Sequence, residues 1–67
     1  MEEEQWGRKI RAFRKLKGYT QAAFAKKTGI SLSLLGEIER ENRKPDQEII
    51  EKICETLNIS AQNIRKL

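Results

Sequence analysis

Apolar residues recur along the chain at helical intervals and never alternate for long. Trp6, Ile10, Phe13 and Leu16 follow one another at steps of four, three and three. That spacing predicts a helix over residues 5–17 with those four side chains on its inner face. Gly18 lies just past its end, where a glycine in the left-handed conformation stops a helix. Thr20 is placed to cap a second helix, Gln21 to about Lys27, that buries Phe24 and Ala25. Gly29 breaks it, and Ser31 caps a third helix in which Leu35 and Ile38 face inward. The polar stretch Glu41 to Pro45 contains the only proline and predicts a loop. Asp46 then caps a fourth helix with Ile50, Ile53, Cys54 and Leu57 on its apolar face, and Asn58 ends it. Ile59 and Ser60 lead into a last short helix that buries Ile64 and Leu67. The pattern predicts an all-α, compact five-helix domain occupying residues 1–67 as a single unit.

Length and composition narrow the function. With 67 residues the chain buries only roughly 60% of the surface its unfolded form exposes, so its stability is marginal. It has one cysteine and no histidine, which excludes a disulfide and the usual Cys/His zinc site. No metal and no cofactor is expected. A lone thiol fits a reducing interior, and no apolar run is long enough for a signal peptide or a membrane span. A soluble, cytoplasmic protein is expected. Charge placement matters more than the net of +4: eight basic residues and no acidic one fall between Arg8 and Lys27. Acidic residues gather at Glu2 to Glu4 and from Glu37 to Glu55. One cationic region suits a polyanion, although a solvated helix face produces the same run.

The stretch from Thr20 to Glu39 carries the function. Two helices cross closely only where the residue at the crossing is small, and Ala25 is small. The turn between them needs positive φ, which Gly29 supplies four residues later. The following helix must anchor on one side and leave the other free. Leu35 and Ile38 anchor it, Ser31 caps it, and Leu32, Ser33, Gly36 and Glu37 lie opposite. These are the requirements of a helix-turn-helix motif over residues 20–39, whose second helix enters the major groove. Ala25, Leu35 and Ile38 are core residues under any helical fold, and Gly29 alone is an ordinary helix stop. What a plain bundle does not explain is a free face of small, weakly charged residues.

The chain resembles the phage repressor/Cro-type (XRE) helix-turn-helix family from about Trp6 to Ile64. The matching segments are IRAFRKxKGYTQ (Ile10 to Gln21), FAxxxGIS (Phe24 to Ser31), LxxIER (Leu35 to Arg40), the Pro45-Asp46 helix start, and IxxICxxLNIS (Ile50 to Ser60). The resemblance implies a recognition helix over about 32–40. It assigns Ser31, Leu32, Ser33, Gly36 and Glu37 to base edges. Thr20 and Gln21 at the start of the second helix, with Arg40, Arg43 and Lys44 at the end of the third and beyond it, fall to the DNA backbone. It also implies that Arg14 and Glu39 form a buried structural ion pair.

Three departures from the family pattern stand out. Glu41 occupies a position that is usually glycine. Ala23 replaces the glutamate that would complete a capping box with Thr20. The reading face lacks Arg, Gln and Asn, the residues that contact bases bidentately. Trp6 and Cys54 are expected to pack in the core, the latter without redox chemistry. Leu34 is expected against Phe24 or the preceding turn.

An enzyme is disfavoured: there is no phosphate loop, no metal-ligand cluster and no histidine, and Glu48, Glu51 and Glu55 lie on one solvated helix face. The expected function is sequence-specific binding of double-stranded DNA by a bacterial or phage-encoded transcriptional regulator, a repressor in the first instance. The alternative is a protein-interaction module, an antitoxin or regulatory adaptor using the same fold, for which Leu32 and Leu34 would supply the contact. A homodimer on a near-palindromic operator is expected, with Asn58 to Leu67 as its candidate interface.

Overall fold

The computed structural model describes residues 5–65 and contains five helices over them, α1 (Trp6–Leu16), α2 (Gln21–Thr28), α3 (Leu32–Glu39), α4 (Gln47–Leu57) and α5 (Ala61–Arg65). There is no strand among the described residues. The helix boundaries are set by local chemistry. Thr20 Oγ1 accepts from the Ala23 N–H at 3.1 Å, Ser31 Oγ from Leu34 N–H at 3.0 Å and Asp46 Oδ1 from Ile49 N–H at 2.9 Å. Each hydroxyl or carboxylate satisfies an amide that the helix itself leaves without a partner. Gly18 and Gly29 take the left-handed conformation at φ +84° and +87°. The amides of Gly29 and Ile30 both return to the Ala25 carbonyl, which turns the chain sharply into α3. Asn58 ends α4 in the same left-handed region, where its short polar side chain is tolerated.

The core gathers Trp6, Ile10, Phe24, Ala25, Leu35, Ile38, Ile50, Ile53, Cys54, Leu57 and Ile64. Helix α3 packs on both α1 and α2, α4 crosses beneath α2, and α5 closes against α1 and α4. Leu34 is half-buried against this core, as is Phe13. The Cys54 thiol is buried and its pKa is pushed up by desolvation, so it is a neutral packing group. Leu67 lies outside the described residues.

One element of the sequence reading is corrected. Leu16 is 78% exposed and has no place in the core. At about 100° per residue, Leu16 falls some 120° from Ile10, while Trp6 and Arg14 each lie about 40° from it. The buried stripe of α1 instead runs Trp6, Ile10, Arg14, at steps of four, with Gly7 beside it. A charged residue takes the place assigned to leucine.

Gly7 is where α1 comes closest to α3. A methyl group added there would overlap the Ile38 carbonyl oxygen and lie 3.0 Å from the Glu39 Cα. Both obstacles are backbone, so neither can move without shifting a helix. Alanine normally exceeds glycine by about 1 kcal/mol inside a helix. Here the gain is reversed: Gly7→Ala is expected to destabilise the chain by about 1–3 kcal/mol, as overpacking does. Thermal melting followed by circular dichroism checks this, with a fall of roughly 4–8 °C for each kcal/mol in a domain of this size.

Candidate nucleic-acid interface

The motif is held from beneath by one ion pair. Arg14 Nε lies 2.7 Å from Glu39 Oε2 and Nη2 lies 3.1 Å from Oε1, a two-pronged contact between side chains only 8% and 2% exposed. The remaining prong, Nη1, donates to the Tyr19 carbonyl at 2.7 Å. Glu39 Oε1 also accepts from Gln21 Nε2 at 3.0 Å. One guanidinium and one carboxylate thus tie together α1, the α1–α2 turn, the first residue of α2 and the last of α3. The Tyr19 ring adds a tilted contact to Phe24 with centroids 5.5 Å apart, which fixes the turn on the core. The charges are fully hydrogen-bonded, and that is the condition under which burying them is tolerable.

With Glu39 turned inward and Leu35 and Ile38 fully buried, α3 presents its opposite side to solvent. Ser33, Glu37 and Arg40 follow at steps of four and three along the centre of that side. Leu32, 51% exposed, flanks them near the start of the helix. Ser31 is exposed and its oxygen is engaged as the cap, leaving the hydroxyl hydrogen as its outward donor. Gly36 is buried, and the Arg40 guanidinium folds over it: a Cβ at Gly36 would lie 3.1 Å from Nη1. Gly36 therefore allows Arg40 to lie along the helix. Glu37 is half-buried and its Oε1 is paired with Arg43 Nη1 at 3.2 Å. This pair is exposed on both sides and contributes little stability. Its effect is positional, since it partly offsets the one carboxylate on the outward face and draws the Arg43 loop alongside α3. Lys44 is exposed beside it. Thr20 is exposed at the start of α2, with Gln21 half-buried next to it.

The sequence reading missed several of these contacts. Nothing in it linked Gln21 to Glu39, Glu37 to Arg43 or Gly7 to the α3 backbone. Gly7 did offer a signal, because a glycine within a helical pattern costs about 1 kcal/mol relative to alanine. Glu41, where the family pattern has glycine, takes the left-handed conformation at φ +63°. Its carboxylate has an unforeseen role: Oε2 accepts from the Arg8 N–H at 2.8 Å. Gln5, the residue before α1, makes no side-chain cap of its own. A loop 33 residues away thus caps the first turn of α1.

Two capped helices crossing at an alanine, a glycine turn between them and an outward second helix define a helix-turn-helix protein. The helix-turn-helix family model matches residues 10–64, and the chain belongs to that family. It is 64% identical over 64 residues to YazB of Bacillus subtilis, an uncharacterized HTH-type transcriptional regulator, the match covering 96% of this chain and 93% of YazB. SinR of Bacillus subtilis, an HTH-type transcriptional regulator, is 34% identical over 59 residues, spanning 87% of this chain and 53% of SinR. The crystal structure of SinR in complex with DNA superposes with a TM-score of 0.84 at 33% identity, covering 88% of this chain and 95% of that one. The DNA-binding domain of the P22 C2 repressor gives a TM-score of 0.86 at 30% identity, over 96% of this chain and 84% of that domain.

A chain of this size has a stability on the order of 3–10 kcal/mol. Removing one partner of a buried ion pair costs about 3–5 kcal/mol because the other charge is stranded. Arg14→Met is therefore expected to remove roughly a third or more of that stability and to lower the melting temperature markedly. The double replacement Arg14→Met/Glu39→Leu strands no charge and is expected to recover most of the loss. Urea denaturation of the two variants beside the parent measures both effects.

Proposed function

We propose that this chain is a sequence-specific double-stranded DNA-binding transcriptional regulator that places α3, extended through Arg40, in the major groove. The observation that carries the reading is the outward stripe of α3, held clear of the core by the buried Arg14–Glu39 pair. Its relatives are transcriptional regulators, and one of them was crystallised with DNA. In this reading Leu32 meets a thymine methyl, the Ser31 and Ser33 hydroxyls donate or accept at base edges, and Glu37 accepts from a cytosine amine. Gly36 contributes by keeping the helix surface low beneath Arg40. Thr20 and Gln21 bring the start of α2, the positive end of its dipole, against a phosphate. Gln21 Nε2 has two hydrogens, so it serves Glu39 and a phosphate together. Arg40, Arg43 and Lys44 contact the backbone on the other side of the groove.

A single domain with about four to six phosphate contacts binds weakly at physiological salt. Two copies on half-sites about 34 Å apart remedy this, so a homodimer on a near-palindromic operator is the functional unit. The segment from Asn58 onward is the proposed interface. Occupying an operator in the bacterial cytoplasm represses the gene beneath it, and no catalytic step is involved. No helix among the described residues is long and apolar enough to cross a membrane.

Selecting bound duplexes from a random pool tests the reading. The parent is expected to enrich a near-palindrome, and Ser33→Ala and Glu37→Ala each to relax preference at one position per half-site, by about 1–3 kcal/mol of discrimination. Gln21→Ala is expected to weaken all duplexes alike. Preference unaltered in both face variants would remove α3 from the reading role. Binding of a protein partner through Leu32, indifferent to salt and with no duplex retained, would favour the adaptor reading instead.

A further inference from the structure

A cleft of about 280 Å³ opens between the first turns of α1 and the end of α3, lined by Gln5, Arg8, Arg11, Glu39, Arg40 and Glu41. No apolar side chain lines it, which argues against the body of a drug-like effector, since such pockets are predominantly hydrophobic. The charges are unequal. Glu39 lines the cleft, but its side chain is buried and its carboxylate is already bound by Arg14. Glu41 is the remaining acid, and its carboxylate is engaged by the Arg8 N–H. Against it stand three guanidiniums. Arg8 is held at the rim by Gln5 Oε1 at 3.1 Å. Arg11 and Arg40 have no carboxylate partner among the described residues. Arg40 belongs to both places, being the last residue of the Ser33–Glu37–Arg40 stripe and one wall of the cleft. The cationic cleft thus begins where the reading face ends.

We propose that this cleft is an additional DNA-backbone site, in which Arg8 and Arg11 of α1 join Arg40 around a phosphodiester beyond the C-terminal end of the recognition helix. The inference rests on the DNA-binding reading and extends it to α1, a helix outside the motif. Guanidiniums suit the site because their planar donors match the paired oxygens of a phosphate. With the first turn of α1 already capped by Glu41, the phosphate is held by side chains and not by helix amides. Glu41 then moderates the site: it secures α1 and subtracts one charge from the grip.

The experiment measures duplex affinity of the parent, Arg8→Gln/Arg11→Gln and Glu41→Gln between about 50 and 200 mM salt. Each duplex is made in a full-length form and a form trimmed at both ends. The double variant keeps the Arg8 N–H that Glu41 caps, so its fold is retained, which its melting curve verifies. Its log–log salt slope is expected to fall by about 0.9 per protomer, the value for one phosphate. Affinity is expected to fall equally for all sequences, with base preference unchanged. Trimming is expected to weaken the parent by the same factor and to leave the double variant indifferent. Glu41→Gln retains an acceptor for Arg8 N–H and is expected to bind every duplex more tightly.

Equal slopes and equal sensitivity to trimming in parent and double variant would overturn the inference while leaving the DNA-binding reading intact. A parent that binds no duplex at any salt would overturn both. Inorganic pyrophosphate protecting the parent, but not the double variant, against thermal unfolding, with no difference on duplexes, would assign the cleft to a free phosphate and overturn the DNA-backbone site.

Discussion

The direction in which α3 points depends on a single buried ion pair. Arg14 and Glu39 meet beneath the motif, and each side-chain nitrogen and oxygen of the pair is bonded to another part of it: the Tyr19 carbonyl of the turn, the Gln21 amide of α2, each other. Two ions so placed give up their hydration, so they tolerate no arrangement that leaves one of them unmatched. Rotation of α3 about its axis would break the pair together with the core contacts of Leu35 and Ile38. Gly7 adds the second constraint, on distance, by letting the backbone of α1 rest on that of α3 at Ile38. Rotation set by charge and separation set by a missing side chain together specify which residues of α3 face outward.

What faces outward is modest in chemistry. Ser33 is small, Gly36 is covered by Arg40, Glu37 shares its charge with Arg43, and the Ser31 oxygen is committed to its cap. The face can approach a groove closely but holds few strong base contacts. Under the proposed reading, its discrimination draws in part on the shape and stiffness of the duplex, read through cations that flank the helix. Those cations stand on three different elements: Arg8 and Arg11 of α1 share a cleft with Arg40 at the end of α3, and Arg43 of the following loop pairs with Glu37.

Much of this was legible in the sequence because much of it is local. Thr20, Ser31 and Asp46 cap their own helices, Gly18, Gly29 and Asn58 stop them, and each effect spans four or five residues. The core positions from Phe24 to Leu57 followed from periodicity for the same reason. The failure at Leu16 arose from drift: the stripe through Arg14 and the one through Leu16 share Trp6 and Ile10 and part only beyond them, where hydrophobicity favours the wrong choice. Contacts distant in sequence were not legible. Position 14 bears no local mark of its link to position 39, and only the family resemblance supplied it. Glu41 is legible as a departure from the family's glycine, but its partner at Arg8 lies across the fold. Gln21 was assigned outward and also reaches inward, because an amide has donors enough for both.

Titration of the isotope-labelled chain with its selected duplex, followed by backbone amide chemical shifts, tests the account most directly. Perturbations are predicted to cluster at Gln21 and Ala22, along Ser31 to Glu37 and from Arg40 to Lys44, while Glu48, Glu51 and Glu55 on the far face of α4 stay unmoved. Shifts centred on α4, with α3 silent, would contradict it.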